Sequence, residues 1–529
     1  MPLISPFFLA CGTIALAVIN VWLAGGVIYG LPSIYSIFYH RGSWSQSCGS
    51  EEAWSCANNA TGTKCCDAQL DQITMLSSIC YFIADASAAL WGEAVDRAGV
   101  PPVLGIAAFL SCTGALGIGL GVHYRSEFVT SSSLISLAFG GPGIFFSSYK
   151  GCLMLLSAPR TVLLTKKQQS ALAALLPAFT AAAFDGSALM LRLVRALSNH
   201  ATRCPRSVAT VWMVTIVIVS FLFFVSLYSW LNAEVETADG SAVSAQREEL
   251  GQSKAVAKED SHLLSSSASP ASLSRTIFGK LNLLLLCFMT TLNLSCTFYM
   301  QTIEDQAHVL FGEDRGDVVS NTFQLAFPIV GLASAVIAFL VIENCEAQFV
   351  RWTIVASIGL LHALLFIIPL YGSQIGAAVV FGLLRTMQWS IYFDILSNEK
   401  FVHRSYYSRV FGYNSLIIAG ISDFLPYALT DFIIRSPTDQ HATLYFANKL
   451  GIALAFATAA TVYCWRVRAF ETRSSITDSS AWAWSRSSFL GGKPEKGISD
   501  VTISTPANQG CLGWLSLCAS PSATLTDKA

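Results

Sequence analysis

Charge is what this chain of 529 residues has least of: Asp, Glu, Lys and Arg together make up 12%, against ~25% in an ordinary soluble domain. That scarcity excludes a soluble globular protein and a disordered chain. The 32 Lys+Arg balance 33 Asp+Glu, so there is no cationic excess with which to hold nucleic acid. The eight histidines show no metal-ligand spacing, and neither a phosphate-binding loop nor a hydrolase or kinase constellation is present. No cofactor, no metal and no enzymatic activity is therefore expected, and a nucleotide-driven pump is excluded. Fifteen cysteines are too dilute for a disulfide scaffold. What is abundant is apolar surface, 53% of residues, in runs that recur along the chain. The class is an all-α polytopic membrane protein, with the lipid bilayer as its solvent.

A helix needs ~20 mostly apolar residues to cross the bilayer core. Windows of that size give twelve spans: residues 7–38, 72–91, 102–122, 132–157, 171–194, 209–231, 278–301, 322–342, 352–371, 375–396, 411–434 and 444–466. The first lacks the basic flank of a signal peptide and reads as an uncleaved helix. It is too long for a straight crossing. Between spans six and seven lies a polar, Ser-rich stretch without apolar periodicity, which predicts a disordered cytoplasmic linker over 232–275. The chain thus divides into a six-helix half over 1–231, the linker, a second six-helix half over 276–468 and a disordered cytoplasmic tail over 469–529. Six spans, a linker and six spans is the layout of a duplicated transporter.

An even number of spans puts both termini on one side. Most of the Lys and Arg then lie on the termini's side, which predicts cytoplasmic termini. The loop over 40–70, on the opposite side, holds Cys48, Cys56, Cys65 and Cys66. These are disulfide candidates with three possible pairings. The same loop carries a glycosylation sequon at Asn59.

Between spans two and three stands Gly92-Glu93-Ala94-Val95-Asp96-Arg97-Ala98-Gly99. This resembles the signature loop of the major facilitator superfamily and implies that fold, twelve helices in two six-helix halves. The resemblance gives Gly92, Asp96, Arg97 and Gly99 a gating role, with Asp96 bonding the start of span eleven, where Arg404 and Arg409 are both available. The usual basic residues after the last glycine are replaced by Val100-Pro101-Pro102. A closer resemblance rests on Gly140-Gly141-Pro142-Gly143-Ile144-Phe145-Phe146-Ser147-Ser148-Tyr149, on Ala183-Phe184-Asp185-Gly186-Ser187-Ala188, on Gln72 and Met75, and more loosely on Gln388-Trp389-Ser390-Ile391-Tyr392 and Phe411-Gly412. These are similar to the apicomplexan amino acid transporters, relatives of the large-neutral-amino-acid facilitators of solute-carrier family 43. The implied activity is amino acid transport at a plasma membrane.

Charges inside spans cost ~2.5–3.5 kcal/mol each on insertion scales, so each needs a reason. Asp85, Lys150, Asp185, Arg192, Arg385 and Asp423 all fall within spans. An amino acid zwitterion needs a cation for its carboxylate, for which Lys150 or Arg385 is suited, and an acid for its ammonium, for which Asp185 is suited. Tyr149, Gln388, Tyr392 and Asn414 can hydrogen-bond around it. Gly25 and Gly26 permit a helix break that exposes backbone groups to an amino acid head. Asp85 is read as a gating acid alongside Arg409. Equally, the charges can pair with one another, Asp85 with Lys150 and Asp185 with Arg192, and only hold helices in register. The function expected is a secondary transporter of amino acids by alternating access, with proton coupling through Asp85 or Asp185 open. The alternatives are the same fold carrying a monocarboxylate, sugar or nucleoside, and a non-transporting membrane receptor or scaffold.

Overall fold

The computed structural model describes residues 6–41, 43–48, 66–157, 164–199, 205–232, 273–397, 402 and 406–489. Cys56, Asn59, Cys65 and Arg404 lie outside the described residues, as do 233–272 of the expected linker and the tail beyond 489.

In the first half, α1 (Pro6–Ala24) continues through a 3-10 turn (Val27–Ile34) into α2 (Tyr35–Arg41). Then follow α3 (Asp67–Ala98), α4 (Val100–Tyr124), α5 (Glu127–Ser157), α6 (Lys166–Gly186), its continuation α7 (Leu189–Asn199), and α8 (Pro205–Asn232). The second half holds α9 (Leu273–Ile277), α10 (Lys280–Asn344), α11 (Gln348–Ile367), α12 (Tyr371–Ser397), α13 (Tyr407–Ser422), its continuation α14 (Phe424–Ile434), and α15 (His441–Phe489). Among the described residues, ten helical stretches are long and apolar enough to cross a membrane. One of them, the 65-residue α10, is divided at Gly312 and provides two crossings. Charge-bearing α12 completes the twelve. α15 runs past Arg468, where the sequence places the start of the tail.

Local chemistry fixes where helices start and stop. Thr165 closes a capping box with Gln168 at the start of α6, satisfying two of the orphan amides of a helix start. Gly99, the last glycine of the signature loop, ends α3 at φ +84°, ψ 174°, a region open essentially to glycine alone. Pro101 and Pro102 then occupy the first turn of α4, where a missing N–H costs nothing. Gly312 turns the chain between the two arms of α10 in the same way, at φ +76°. A disulfide joins Cys48 to Cys66 at the start of α3.

Large apolar side chains such as Phe221, Leu364 and Leu454 are about 60% exposed and form the outer face that lipid covers. Inside, small residues let backbones approach. Where α3 crosses α13, a Cβ on Gly92 would collide with the Ser408 carbonyl, and one on Gly412 with the Ala88 carbonyl. This crossing joins the two halves at the end of the bundle that carries the signature loop, called here the motif end. The opposite end carries Cys48 and Cys66.

Gly412→Val is expected to overpack this crossing by ~1–3 kcal/mol. Thermal unfolding of the detergent-purified protein should show a lowered melting temperature. Gly420→Val, on the same helix with no neighbour within 4 Å, should leave it unchanged.

Candidate functional site

Three crossings are interrupted halfway, and the interruptions meet. α1 stops at Ala24 and the chain passes through Gly25 and Gly26 into the 3-10 turn. α6 stops at Gly186, next to Asp185, and α13 gives way to α14 at Asp423. Breaks free backbone groups that must find partners in a membrane interior. Here the Gly26 N–H donates to Ser187 Oγ at 2.9 Å, and Trp22 Nε1 donates to the Gly186 carbonyl at 3.1 Å. A Cβ on Gly26 would collide with the Phe184 carbonyl, so glycine is what lets α1 and α6 touch at their breaks.

Arg385 of α12 is 1% exposed and lies at this junction. Its Nε is 3.4 Å from Asp185 Oδ1 across the two halves. Its Nη1 donates to Asn293 Oδ1 of α10. The guanidinium lies 5.2 Å from the ring centre of Tyr29 and 5.4 Å from that of Trp389, within cation–π range. Tyr29 in turn donates to Asp85 Oδ1 at 2.5 Å. On the other side Asn293 Nδ2 donates to Ser422 Oγ at 2.7 Å, and Ser422 Oγ to Asp423 Oδ1 at 3.2 Å. One guanidinium is thus linked to three buried carboxylates, Asp85, Asp185 and Asp423. Asp185 Oδ2 and Trp389 Nε1 have no hydrogen-bond partner among the described residues. The arrangement gathers a fixed cation, acceptor oxygens and aromatic faces at one level of the bundle.

Beside the junction is a space of about 30 Å³ lined by Asp85, Phe145, Phe184, Trp389, Phe411 and Ser415 among others, with Arg385 and Asp185 outside its lining. It has room for a water or two. Toward the first-loop end the bundle opens into a cavity of about 710 Å³ bounded by Tyr35, Arg195, Gln301, Glu304, Asp305, Asp317 and Gln324. Toward the motif end it is shut. Phe145, Phe146 and Tyr149 of the first half interlock with Phe393, Tyr407 and Phe411 of the second, with ring centres 4.8 Å apart for Phe146–Phe411 and 5.1 Å for Phe145–Phe393. Below this plug Lys150 Nζ is 3.1 Å from Asp96 Oδ1. Arg409 Nε lies 3.4 Å from Glu93 Oε2 and 3.6 Å from Asp96 Oδ2.

The sequence candidates therefore fall into two groups. Asp85, Asp185, Arg385, Gly25 and Gly26 are brought together at the helix breaks. Lys150 and Tyr149 lie at the motif-end closure with Asp96 and Arg409, away from Arg385. Arg409 reaches Asp96, while Arg404 lies outside the described residues. Arg97 bonds Glu93 one turn away at 2.5 Å. Arg192 donates to the Asn321 carbonyl at 3.3 Å, not to Asp185. Gln388 accepts from Cys296 Sγ at 3.7 Å. Asn414 exchanges amide hydrogen bonds of 3.0 Å with Asn282, and Tyr392 joins the aromatic plug through Phe411. Tyr29, Asn293 and Trp389 belong to the junction and were not singled out by sequence. Asn293 was visible as one of the few amides in an apolar span, while Tyr29 lies three residues past the second of the paired glycines.

No protein-family model matches the chain, and no curated protein matches it. Solved structures do. The proton:xylose symporter XylE bound to 6-bromo-6-deoxy-D-glucose aligns over 86% of this chain and 95% of its own, at 12% identity and a TM-score of 0.56. The human organic anion transporter MFSD10 aligns over 85% and 99%, at 11% identity and 0.52. XylE from E. coli in a partially occluded inward-open conformation aligns over 88% and 98%, at 12% identity and 0.51. The chain has the major facilitator fold, an all-α polytopic membrane architecture.

Arg385→Met should leave Asp185 buried without its counter-charge, at a cost of ~3–5 kcal/mol. Combining it with Asp185→Asn should recover part of that loss. The check is a double-mutant cycle of thermal unfolding in detergent, and strictly additive losses would dissolve the pair.

Proposed function

We propose that the chain is a secondary transporter that carries amino acids across the plasma membrane by alternating access, with the first-loop end outside and the termini in the cytoplasm. The observation that carries this reading is the Arg385–Asp185 pair, buried between the halves where three interrupted helices meet. An amino acid head group brings one carboxylate and one ammonium. Arg385 is suited to the first and Asp185, with its uncommitted Oδ2, to the second. The helix break at Gly25 and Gly26 lies at the same level, its Gly26 N–H held by Ser187 Oγ. In this reading the shut aromatic plug and the wide opposite cavity correspond to an outward-facing state. Solute binding draws the first-loop ends together and lets the Arg409–Asp96 tie part, in proportion to its differential affinity for the two states. Asp85 and Asp185 are the candidates for proton coupling.

A second reading keeps the fold and changes the solute. The names of the similar solved structures, a xylose symporter and an organic anion transporter, favour it. A sugar would have less use for a buried ion pair than a zwitterion, whereas a monocarboxylate would use Arg385 alone.

The deciding experiment is uptake by oocytes expressing the protein, with single labelled amino acids, with and without sodium and a pH gradient. Saturable uptake competed by unlabelled amino acids, and abolished at intact surface expression by Arg385→Lys, is expected, because an ammonium cannot reproduce the guanidinium fork. Surface expression with no amino acid uptake would overturn the substrate class and leave the second reading. If protons are coupled, Asp185→Asn or Asp85→Asn should abolish the pH dependence of any remaining uptake.

A further inference from the structure

Away from the junction, on the outer flank of the second half, the structure holds a second buried cation. Lys449 of α15 is 5% exposed. Its ammonium donates to the Phe366 carbonyl at 3.2 Å and lies 4.2 Å from the centre of the Phe366 ring. Among the described residues these are its partners, and no carboxylate is bonded to it. The acid nearest in the network, Asp305, is taken up by the hydroxyl of Tyr445. A protonated lysine withdrawn from water in this way keeps two of its three donors unused, and burying a charge without a counter-ion is strongly unfavourable.

Lys449 lines a cavity of about 290 Å³ between α10, α11 and α15. Leu310, Ile367, Pro369 and Phe446 form its apolar walls. Gln306, 1% exposed, faces it from α10 and keeps its Oε1 without a partner. The cavity is continuous with an apolar outer surface: Ile368, Leu370, Phe446 and Leu450 are between 39% and 63% exposed around it. A hole with a cation at its base and hydrocarbon at its mouth, opening where lipid lies, is complementary to an amphipathic anion.

We propose that this cavity binds a lipid anion, its carboxylate or phosphate head on Lys449 and its hydrocarbon tail along Leu310, Ile367 and Phe446. The anion supplies the counter-charge that the fold leaves out, and the apolar mouth sets the requirement for a tail. The site is separate from the Arg385 junction and does not depend on which solute is carried.

Native mass spectrometry of the full chain released from detergent micelles tests this, with dioleoylphosphatidylglycerol, dioleoylphosphatidylcholine, oleate and inorganic phosphate as probes. The acidic phospholipid should be retained at least tenfold over the zwitterionic one. If oleate is retained and the acidic phospholipid is not, the head is a free carboxylate and the proposal stands in that form. Lys449→Met should abolish the preference, and Lys449→Arg should keep it. Because Lys449→Met removes a buried residue, Ala442→Trp provides the second variant: it narrows the cavity from its lining with Lys449 intact and should also abolish retention. The proposal is overturned if Lys449→Met retains the preference of the unaltered protein, if no anion is retained above phosphatidylcholine, or if inorganic phosphate displaces the lipid as well as oleate does.

Discussion

The contact between Arg385 and Asp185 joins two halves that share few other polar contacts near the middle of the bundle. A guanidinium in a membrane interior is tolerated only where something answers its charge and its donors. Asp185, Asn293 and the faces of Tyr29 and Trp389 do so here, and each comes from a different crossing. Because the answering groups are spread over α6, α10, α12 and the turn after α1, those elements must converge at one level. The helix breaks at Gly25, Gly186 and Asp423 occur at that level. Breaks are affordable there because polar side chains are already gathered to satisfy the freed backbone, as Trp22 and Ser187 do. The buried charge and the broken helices therefore support one another: each would be costly alone.

Much of this was legible in sequence, for definite reasons. Hydropathy marks a crossing whatever packs against it, so the twelve spans could be read one at a time. The glycine requirement at position 99 is local, a matter of one φ angle, and it too shows in a motif. Asp185 and Arg385 stood out because charges in apolar runs are rare. Their pairing did not, since nothing in one dimension says that residue 385 rather than residue 192 answers residue 185. Arg192 is two turns from Asp185 along the chain, but the break after Gly186 interposes a non-helical step and α7 carries Arg192 to Asn321 instead. Lys150 failed the same way. It follows Tyr149 in a segment rich in candidate pocket residues, yet α5 continues past the aromatic plug and delivers its ammonium to Asp96 at the motif end.

Each six-helix half holds a charge tie between its own crossings. In the first half, Lys150 near the end of the fourth crossing ties to Asp96 near the end of the second. In the second half, Asp394 near the end of the tenth crossing ties to Arg351, at the start of the ninth. The acidic and basic partners are exchanged between the two ties. Each tie joins two helix ends within one half. Arg351 also donates to the Cys345 and Ile342 carbonyls, which would otherwise be orphaned where α10 stops. Glu471 meets the amides of Gln348 and Phe349 at the start of α11, where a carboxylate is favoured by the helix dipole.

These intra-half ties bear on how the bundle can move. The Lys150–Asp96 and Arg351–Asp394 contacts each lie inside one half and can persist while the halves rock as units. The contacts that must part for the motif end to open include Arg409 with Glu93 and Asp96, Ser170 with Glu343, the glycine crossing of α3 on α13, and the aromatic plug. Arg409 and Glu93 are about a quarter exposed, so this inter-half tie is partly screened and individually weak. Asp96 is 4% exposed and already answered by Lys150, so it does not lose its only counter-charge when Arg409 leaves. A gate built this way can open without stranding a buried charge. The ring contacts of the plug are non-directional by comparison, and their surfaces can be re-covered by other apolar groups. The Arg385–Asp185 pair is the opposite case. It spans the halves, is buried on both sides, and cannot be pulled apart without a replacement for each partner, which under the proposed function is a solute bearing both charges. In the transport cycle proposed above, the weak inter-half tie at the motif end and the strong one at the centre divide the work, the first permitting the halves to move and the second making that movement conditional on what is bound between them.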